Sequence, residues 1–182
     1  MTFQGCKQWR RTRGTILKQY SILKQYSSLQ SILPHFGLAE LKDEQKKALF
    51  YLLSGKDVFV NLPTGFSKSL IYQLAPLVAE ELSRRNYGNI RSGIVLMISP
   101  LVSLIKDQVK GLQKRGIKAS FIGAGQEEAN FKEIVNGEMN IVYSSPEAML
   151  ANDRWREMIC SQVYQKNVVA VAVDEAHCIT HW

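Results

Sequence analysis

The segment from Asn61 to Leu70 carries the residue types that hold a phosphate group. Its sequence, NLPTGFSKSL, ends in the Lys68-Ser69 pair that closes the phosphate-loop pattern G-x-x-x-x-G-K-[ST]. In such a loop the lysine reaches the outer phosphates, the hydroxyl binds Mg²⁺, and N–H groups at a helix N-terminus face the anion. Leu62 and Ser67 stand at the two glycine positions. If Ser67 must adopt a positive φ, we expect a cost of about 1–2 kcal/mol and several-fold weaker binding.

A second chemical pattern lies near the end of the chain, in the sequence VVAVAVDEAHC. It places Asp174 and Glu175 at the C-terminal end of an apolar strand, where two adjacent carboxylates are costly unless they serve a cation. Asp174 is predicted to hold Mg²⁺, and Glu175 to orient and deprotonate an attacking water. Taken with Lys68-Ser69, the pair predicts a nucleotide-hydrolysing domain. A simple turn before a helix and two solvated acids remain the alternative interpretations.

These motifs need a scaffold of strands that each deliver a loop to one edge of a sheet. Apolar runs alternate with helical periodicity from residue 38 onward. The predicted strands are 57–62, 93–99, 118–123, 139–145 and 167–177. The predicted helices are 43–55, 68–85, 103–115, 127–136 and 153–162. This alternation predicts an α/β fold, with a mostly parallel sheet, helices on both faces, and ligands bound at the carboxyl edge.

Composition narrows the class of protein. The chain has 182 residues, of which 46% are hydrophobic and 21% charged, and this is ordinary for one globular domain. No apolar run is long enough for a membrane helix, and we identify no secretory signal. Three cysteines, Cys6, Cys160 and Cys178, form neither a C-x-x-C pair nor a metal-ligand spacing. They favour free thiols in a reducing compartment.

The positive charge is concentrated at the N-terminus. Of the 23 basic residues behind the net charge of +7, six lie within residues 1–39, which carry no acid. They are Lys7, Arg10, Arg11, Arg13, Lys18 and Lys24. Residues 1–35 are interpreted as a poorly ordered arm that includes a tandem ILKQYS hexamer at 16–21 and 22–27. The arm indicates contact with nucleic acid or another polyanion, although a solvated tail fits equally well.

Four segments in order carry a family resemblance: LPTGFSKSLIYQLAPL, ISPLVSLIKDQV, YSSPEAML and VDEAHCITHW. Together they closely resemble the RecQ-type DNA helicases of superfamily 2. The resemblance covers residues 36–182 and implies the first RecA-like domain of a P-loop NTPase. It further implies ATP and Mg²⁺ as cofactors, single-stranded or forked DNA as partner, 3′-to-5′ movement, and a nuclear location.

The resemblance also assigns residues to the nucleotide site. FGLAELKDEQKKAL resembles the adenine-recognition segment, in which Gln45 is expected to read the adenine edge. Lys42 stands where the family usually has arginine, which keeps the charge but loses planar stacking. His177 of the DEAH box, which follows Asp174 and Glu175, is expected to couple hydrolysis to DNA. The implied phosphate-loop contacts are Pro63, Thr64, Gly65, Phe66, Ser67, Lys68 and Ser69, with Ser67 in place of the family's glycine.

Two further loops and the last residue are implied to contact DNA. SPLVSLIKDQV and SSPE each follow a predicted strand and open a helix, so hydroxyls and N–H groups suit phosphate contact. The implied residues are Ser99, Pro100, Leu101, Ser103, Lys106, Ser145, Pro146, Glu147 and Trp182. Trp182 begins the family's aromatic-rich loop, where stacking on bases is expected. Without the resemblance, both loops are ordinary starts of helices.

The sequence stops at Trp182, before the second RecA-like domain and its arginine finger. We therefore expect this chain alone to bind ATP and DNA weakly and not to unwind DNA. A second hypothesis is a non-catalytic module that keeps the fold and binds nucleic acid or a partner. A third, a small-molecule kinase, is disfavoured because the chain has a DEAH sequence and no lid segment.

Overall fold

The computed structural model describes residues 29–87, 92–123, 128–150 and 153–176. The chain forms two compact units, Met1–Ile90 and Arg91–Trp182, where the sequence predicts one domain. The six basic residues of the arm and its tandem hexamer lie outside the described residues. So do His177 and Trp182.

The first described residues are helical and lead into a 3₁₀ turn, Leu33–Phe36. Leu29, Ile32 and Leu33 are buried, because apolar side chains gain free energy when they leave water. Gly37 ends the turn with a φ of 69°. Apolar residues of the predicted arm are thus buried from Leu29 onward, and the boundary of the arm at residue 36 stays a prediction.

Two helices build most of the first unit. Helix α1 spans Asp43–Leu53 and α2 spans Ser69–Tyr87. Both bury apolar residues three or four positions apart, as a helix with one face in a core requires. In α1 these are Ala48, Leu49 and Leu53; in α2 they are Ile71, Leu74, Ala75, Val78 and Leu82. The two predicted helices are confirmed, and they contact each other.

The predicted strand at residues 57–62 is wrong. The segment lies between α1 and the phosphate loop without strand structure, and Phe59 is 84% exposed. A strand exists only where a neighbouring chain segment completes its hydrogen bonds. Within residues 29–87 no other strand is present to do so. The apolar sequence of residues 57–62 indicates that the segment can be extended, but it does not indicate whether a second strand pairs with it.

The second unit is an α/β sheet. Its elements in chain order are β1 Ile94–Ile98, α3 Val102–Lys114, β2 Ala119–Ile122, α4 Glu128–Val135, β3 Ile141–Ser144, α5 Pro146–Leu150, α6 Asp153–Cys160, α7 Gln162–Asn167 and β4 Val168–Val173. The strands are all parallel, in the order β2-β3-β1-β4. The predicted α/β class and parallel sheet are confirmed.

Burial follows position in the sheet. All of β3 and the first four residues of β1 are buried, as expected for central strands of a parallel sheet. The edge strand β4 leaves Val171 46% and Val173 38% exposed. Because parallel strands align in register, their carboxyl ends lie together, with Ile98 paired to Ser144 and to Val173. This edge carries the residues of the second unit that were predicted to do chemistry.

Two helical details differ from the sequence prediction. The helix predicted at 153–162 is α6, which ends at Cys160. A separate helix, α7, follows it, because Ser161 takes extended angles and its Oγ accepts from the Tyr164 N–H. Such a serine is a typical helix N-cap. The helix that the SSPE loop was expected to open is the short α5, for which no range was predicted. None of the helices in the described ranges is long and apolar enough to cross a membrane.

Candidate functional site

The predicted phosphate loop contains a turn and two residues with positive φ. The Phe66 N–H donates to the Pro63 carbonyl at 3.3 Å, and Gly65 has a φ of 82°. Ser67 also has a positive φ, 55°, so the strain considered for a serine at this position is present. The chain then enters α2 through a bond from the Leu70 N–H to the Ser67 carbonyl, at 3.1 Å.

The loop lysine bonds to the loop itself. Lys68 is exposed, and its Nζ donates to the carbonyl oxygens of Leu62 at 2.8 Å and Pro63 at 3.3 Å. Ser69 is the half-buried first residue of α2. Lys68 therefore satisfies backbone carbonyls at the start of the loop, and contact with an outer phosphate requires these bonds to be exchanged.

Gln45 connects the adenine-recognition segment to the phosphate loop. Its Oε1 accepts from the Lys42 N–H at 3.0 Å, and its Nε2 donates to the carbonyls of Phe66 at 2.9 Å and Ser67 at 3.3 Å. Gln45 is only 3% exposed. The Lys42 ammonium lies 3.9 Å from the centroid of the Phe66 ring. The sequence places these residues in one site, and the structure shows that they touch.

The two carboxylates of the second unit follow β4. The Asp174 N–H donates to the Ile98 carbonyl at 2.9 Å, and the Asp174 Oδ1 accepts from the Glu175 N–H at 3.1 Å. Glu175 is exposed and has a φ of 50°. Together with Ser67, it is one of the two non-glycine residues with positive φ in the described part of the chain. The turn therefore starts directly after the strand.

Ser99 shapes the neighbouring loop from inside. It is 2% exposed, its N–H donates to the Ser144 carbonyl at 3.0 Å, and its Oγ accepts from the Leu101 N–H at 3.5 Å. The predicted role of its hydroxyl in DNA contact is therefore not supported by its position, because a strand at the surface cannot reach a buried Oγ. Leu101, by contrast, is 50% exposed.

The start of α3 presents an apolar and basic surface. Leu101, Val102 and Leu104 are exposed, although large apolar side chains usually gain by burial. Ser103 and Lys106 beside them are also exposed, and the Lys106 Nζ lies 5.8 Å from the Phe121 ring centroid. Sequence reasoning missed Val102 and Leu104. Helical spacing could have found Leu104, which lies off the buried face of Ile105 and Val109. Val102 is spaced to lie on that face, and it is exposed at the first residue of the helix.

The SSPE loop caps α5. The Ser145 Oγ accepts from the Ala148 N–H at 3.2 Å, and Pro146 is buried. Glu147 is exposed, and its pKa is lowered by its own backbone N–H and then by the Ser145 hydroxyl. Ser145 and Glu147 thus complete a helix N-terminus, which leaves their predicted role in DNA contact as a prediction.

The predicted site residues fall into two groups. Lys42, Gln45 and residues 63–69 belong to the first unit, and residues 99–106, 145–147 and 174–175 belong to the second. A shared Mg²⁺ site of Ser69 and Asp174 therefore stays a prediction. Across the described ranges, no group of three or more histidine, cysteine, aspartate or glutamate side chains is arranged to hold a metal. Cys160 is an exposed free thiol.

Comparison with known proteins decides the family. A family model described as DEAD/DEAH box helicase matches residues 42–182, which is most of the chain. The chain belongs to the DEAD/DEAH box helicase family. This match begins at Lys42, inside the predicted adenine-recognition segment, and it contains the predicted phosphate loop and both acidic residues of the DEAH sequence.

Curated relatives within this helicase family confirm the RecQ-type resemblance. The chain is 37% identical over 151 residues to ATP-dependent helicase SGS1 of Saccharomyces cerevisiae, which covers 81% of this chain and 10% of that protein. It is 32% identical over 165 residues to ATP-dependent DNA helicase RecQ of Haemophilus influenzae, which covers 88% of this chain and 24% of that protein. ATP-dependent DNA helicase Q-like 4B of Arabidopsis thaliana is 35% identical over 156 residues, which cover 81% of this chain and 12% of that protein. The chain thus spans a quarter or less of these relatives.

Proposed function

We propose that this chain is the first motor domain of a RecQ-like 3′-to-5′ DNA helicase, which binds Mg-ATP and couples its hydrolysis to DNA unwinding in a longer protein. The observation that carries the proposal is the backbone of the phosphate loop. Gly65 and Ser67 both have positive φ directly before the N-terminus of α2. A serine held in that conformation indicates that the loop keeps its shape even without the glycine.

The first unit would bind the nucleotide. Lys68 would leave the Leu62 and Pro63 carbonyls and contact the outer phosphates, while N–H groups at the start of α2 face the anion. Gln45 and Lys42 would contact the adenine. Ser69 and Asp174 offer a hydroxyl and a carboxylate, the hard oxygen donors that suit Mg²⁺. When bound, the ion would neutralise charge on the outer phosphates.

The DEAH turn would provide the proton acceptor for hydrolysis. Glu175 is exposed and lies beyond the end of β4, so its carboxylate is accessible to orient a water. Asp174 is half-buried and is held by its backbone bond to Ile98, which fixes the turn to the sheet. His177 would couple this turn to DNA.

The carboxyl edge of the sheet would bind the DNA backbone. Leu101, Ser103 and Lys106 at the start of α3 are exposed on this side of the second unit. Lysine contributes charge to phosphate contact, and exposed apolar side chains suit the bases or sugars of an unpaired strand. A nuclear location belongs to the same proposal, because it follows from the relatives of eukaryotic origin.

Hydrolysis of ATP in the presence and absence of single-stranded DNA tests the catalytic proposal. The measurement uses the longest natural product that contains this chain, with Glu175→Gln as the variant. We expect DNA to stimulate hydrolysis, and Glu175→Gln to lower the rate by about 10²-fold or more while Mg-ATP still binds. The matched control is Glu157→Gln, an exposed glutamate on α6. Equal rates in Glu175→Gln and the natural protein would contradict the assignment.

A non-catalytic binding module is the second candidate. It is favoured by the bonds of Lys68 to the Leu62 and Pro63 carbonyls, since a nucleotide must break them before Lys68 can contact its phosphates. This module would bind single-stranded DNA with the same affinity whether Mg-ATP is present or absent. Fluorescence anisotropy of labelled DNA at both conditions separates it from the motor domain.

A further inference from the structure

Lys42 and Phe66 form a contact that the catalytic proposal does not use. The Lys42 Nζ lies 3.9 Å from the Phe66 ring centroid, well within the distance at which a cation is attracted by the face of a ring. Lys42 is exposed and Phe66 is half-buried. The contact therefore lies at the surface, where a ligand can reach both partners.

The backbone of both residues is held in place by a buried amide. Gln45 accepts from the Lys42 N–H and donates to the Phe66 carbonyl, so a single side chain spans the two. Gln45 itself is 3% exposed. Because the backbone on each side is already fixed, only the side-chain rotamers of Lys42 and Phe66 remain to be ordered when the ring and the ammonium meet.

The phosphate end of the same loop is also occupied by the protein. Lys68 donates to the Leu62 and Pro63 carbonyls. Two lysines are proposed to contact the nucleotide, Lys42 at the base and Lys68 at the phosphates. Lys42 contacts the Phe66 ring and Lys68 donates hydrogen bonds, so both already interact with the loop that would bind the nucleotide.

We propose that Phe66 sets the nucleotide affinity of this site by competing with the purine for Lys42. The inference rests on the proposed nucleotide-binding function. A ligand can shift this equilibrium only by the difference in its affinity for the two states of the loop. Nucleotide must release Lys42 from the ring before Lys42 can lie against the base, so the ring lowers the apparent affinity. Phe66 is a positioning residue that acts through Lys42.

The first test observes Lys42 directly, without any substitution. A lysine methylene beside an aromatic face is shielded by the ring, so the Lys42 Cε protons of the natural chain are expected upfield of the other lysines in NMR spectra. Titration of Mg-ATP should remove the nuclear Overhauser cross-peaks between the Lys42 Cε protons and the Phe66 ring protons. The cross-peaks are the readout because a purine beside Lys42 also shields its protons. A Lys42 signal at the ordinary position before titration would overturn the proposal.

The second test measures Mg-ATP affinity by calorimetry in a double-mutant cycle. Phe66→Leu keeps an apolar side chain and removes the ring, and it should tighten binding about two- to fivefold, the effect of one exposed cation–π contact. In a Lys42→Met background the same substitution should change affinity by less than about 1.5-fold, because no cation remains. An equal gain in both backgrounds would overturn the proposal.

A matched control lies in the same unit. Lys56 packs over the Tyr51 ring at 4.8 Å, away from the loop, so Tyr51→Leu removes a similar contact and should leave affinity unchanged. The experiments distinguish failure of the proposed nucleotide-binding function from failure of the proposed competition. Absence of Mg-ATP binding in every variant overturns the proposed function and the competition with it. Binding that leaves the Lys42–Phe66 cross-peaks in place overturns the competition alone.

Discussion

The backbone conformation of Ser67 indicates the conformation of the predicted phosphate loop. The sequence predicts a strained serine if the phosphate loop keeps its conformation, and the structure gives Ser67 a φ of 55°. The conformation survives because the neighbouring groups define it: Gln45 donates to the Ser67 carbonyl, and the Leu70 N–H donates to the same oxygen. Sequence could predict this strain, because phosphate loops prescribe backbone angles. It could not predict the Lys42–Phe66 contact, which depends on side-chain placement.

Substitutions at two loop positions should have opposite effects on the free energy of unfolding. Ser67→Gly removes strain but increases the freedom of the unfolded chain, so we expect a net gain of about 0.5–1 kcal/mol. Gly65→Ala places a Cβ at a φ of 82° where no atom lies within 4 Å, so strain alone should cost about 1–2 kcal/mol. Thermal and urea unfolding measure both. Destabilisation by Ser67→Gly would contradict the strain argument.

The sequence predicted the four strands of the second unit correctly, but it also predicted a strand at residues 57–62 of the first unit that is absent. Four apolar runs became β1 to β4, because each finds a parallel neighbour within its own unit. Residues 57–62 have the same kind of sequence and no strand partner among residues 29–87. Helix boundaries moved where one side chain intervened, as Ser161 does between α6 and α7. Periodicity predicts elements well, whereas pairing and capping depend on the three-dimensional neighbours.

Tyr164 on α7 ties two helices of the second unit together. It is fully buried, and its hydroxyl donates to the Ile134 carbonyl at the end of α4. Tyr164→Phe leaves that carbonyl without this donor, so we expect a loss of about 1–3 kcal/mol in urea unfolding. Tyr51→Phe, at a half-buried tyrosine of α1, is the control and should change stability by less than about 0.5 kcal/mol.

The same tyrosine predicts a pH dependence of folding. Burial raises the pKa of Tyr164 above its ordinary value, so the folded state favours the protonated hydroxyl. This contribution to stability is fully present below the pKa of an unfolded tyrosine, about 10, and decreases as pH rises above it. Urea unfolding between pH 8 and pH 11 should show a steeper loss in the natural chain than in Tyr164→Phe. Identical profiles would contradict this role of the hydroxyl.

The start of α3 should contact DNA through Lys106 and not through Ser99. Lys106→Ala should weaken binding of single-stranded DNA and reduce the slope of log affinity against log salt by about 0.7, the value for one phosphate contact. Ser99→Ala should leave DNA affinity unchanged, because the hydroxyl is buried. Lys166→Ala on α7 serves as the control for net charge. Fluorescence anisotropy at several salt concentrations measures all three, and an unchanged slope in Lys106→Ala would refute the assignment.

At the scale of the whole molecule, the chemistry is divided between two units. The loop with Lys68 lies in Met1–Ile90, and the turn with Asp174 and Glu175 lies in Arg91–Trp182. The predicted residues for nucleotide contact therefore lie in a different unit from the predicted residues for hydrolysis. Nucleotide binding by this chain can be measured even if the chain does not hydrolyse ATP.

Calorimetric titration of Mg-ATP into this chain tests the central claim most directly. The measurement compares the natural chain with Lys68→Ala and with Lys47→Ala, an exposed lysine of α1 outside the loop. We predict saturable binding by the natural chain and by Lys47→Ala, and none by Lys68→Ala. Absence of saturable binding by the natural chain, or equal binding by Lys68→Ala, would contradict the assignment of this loop as a nucleotide site.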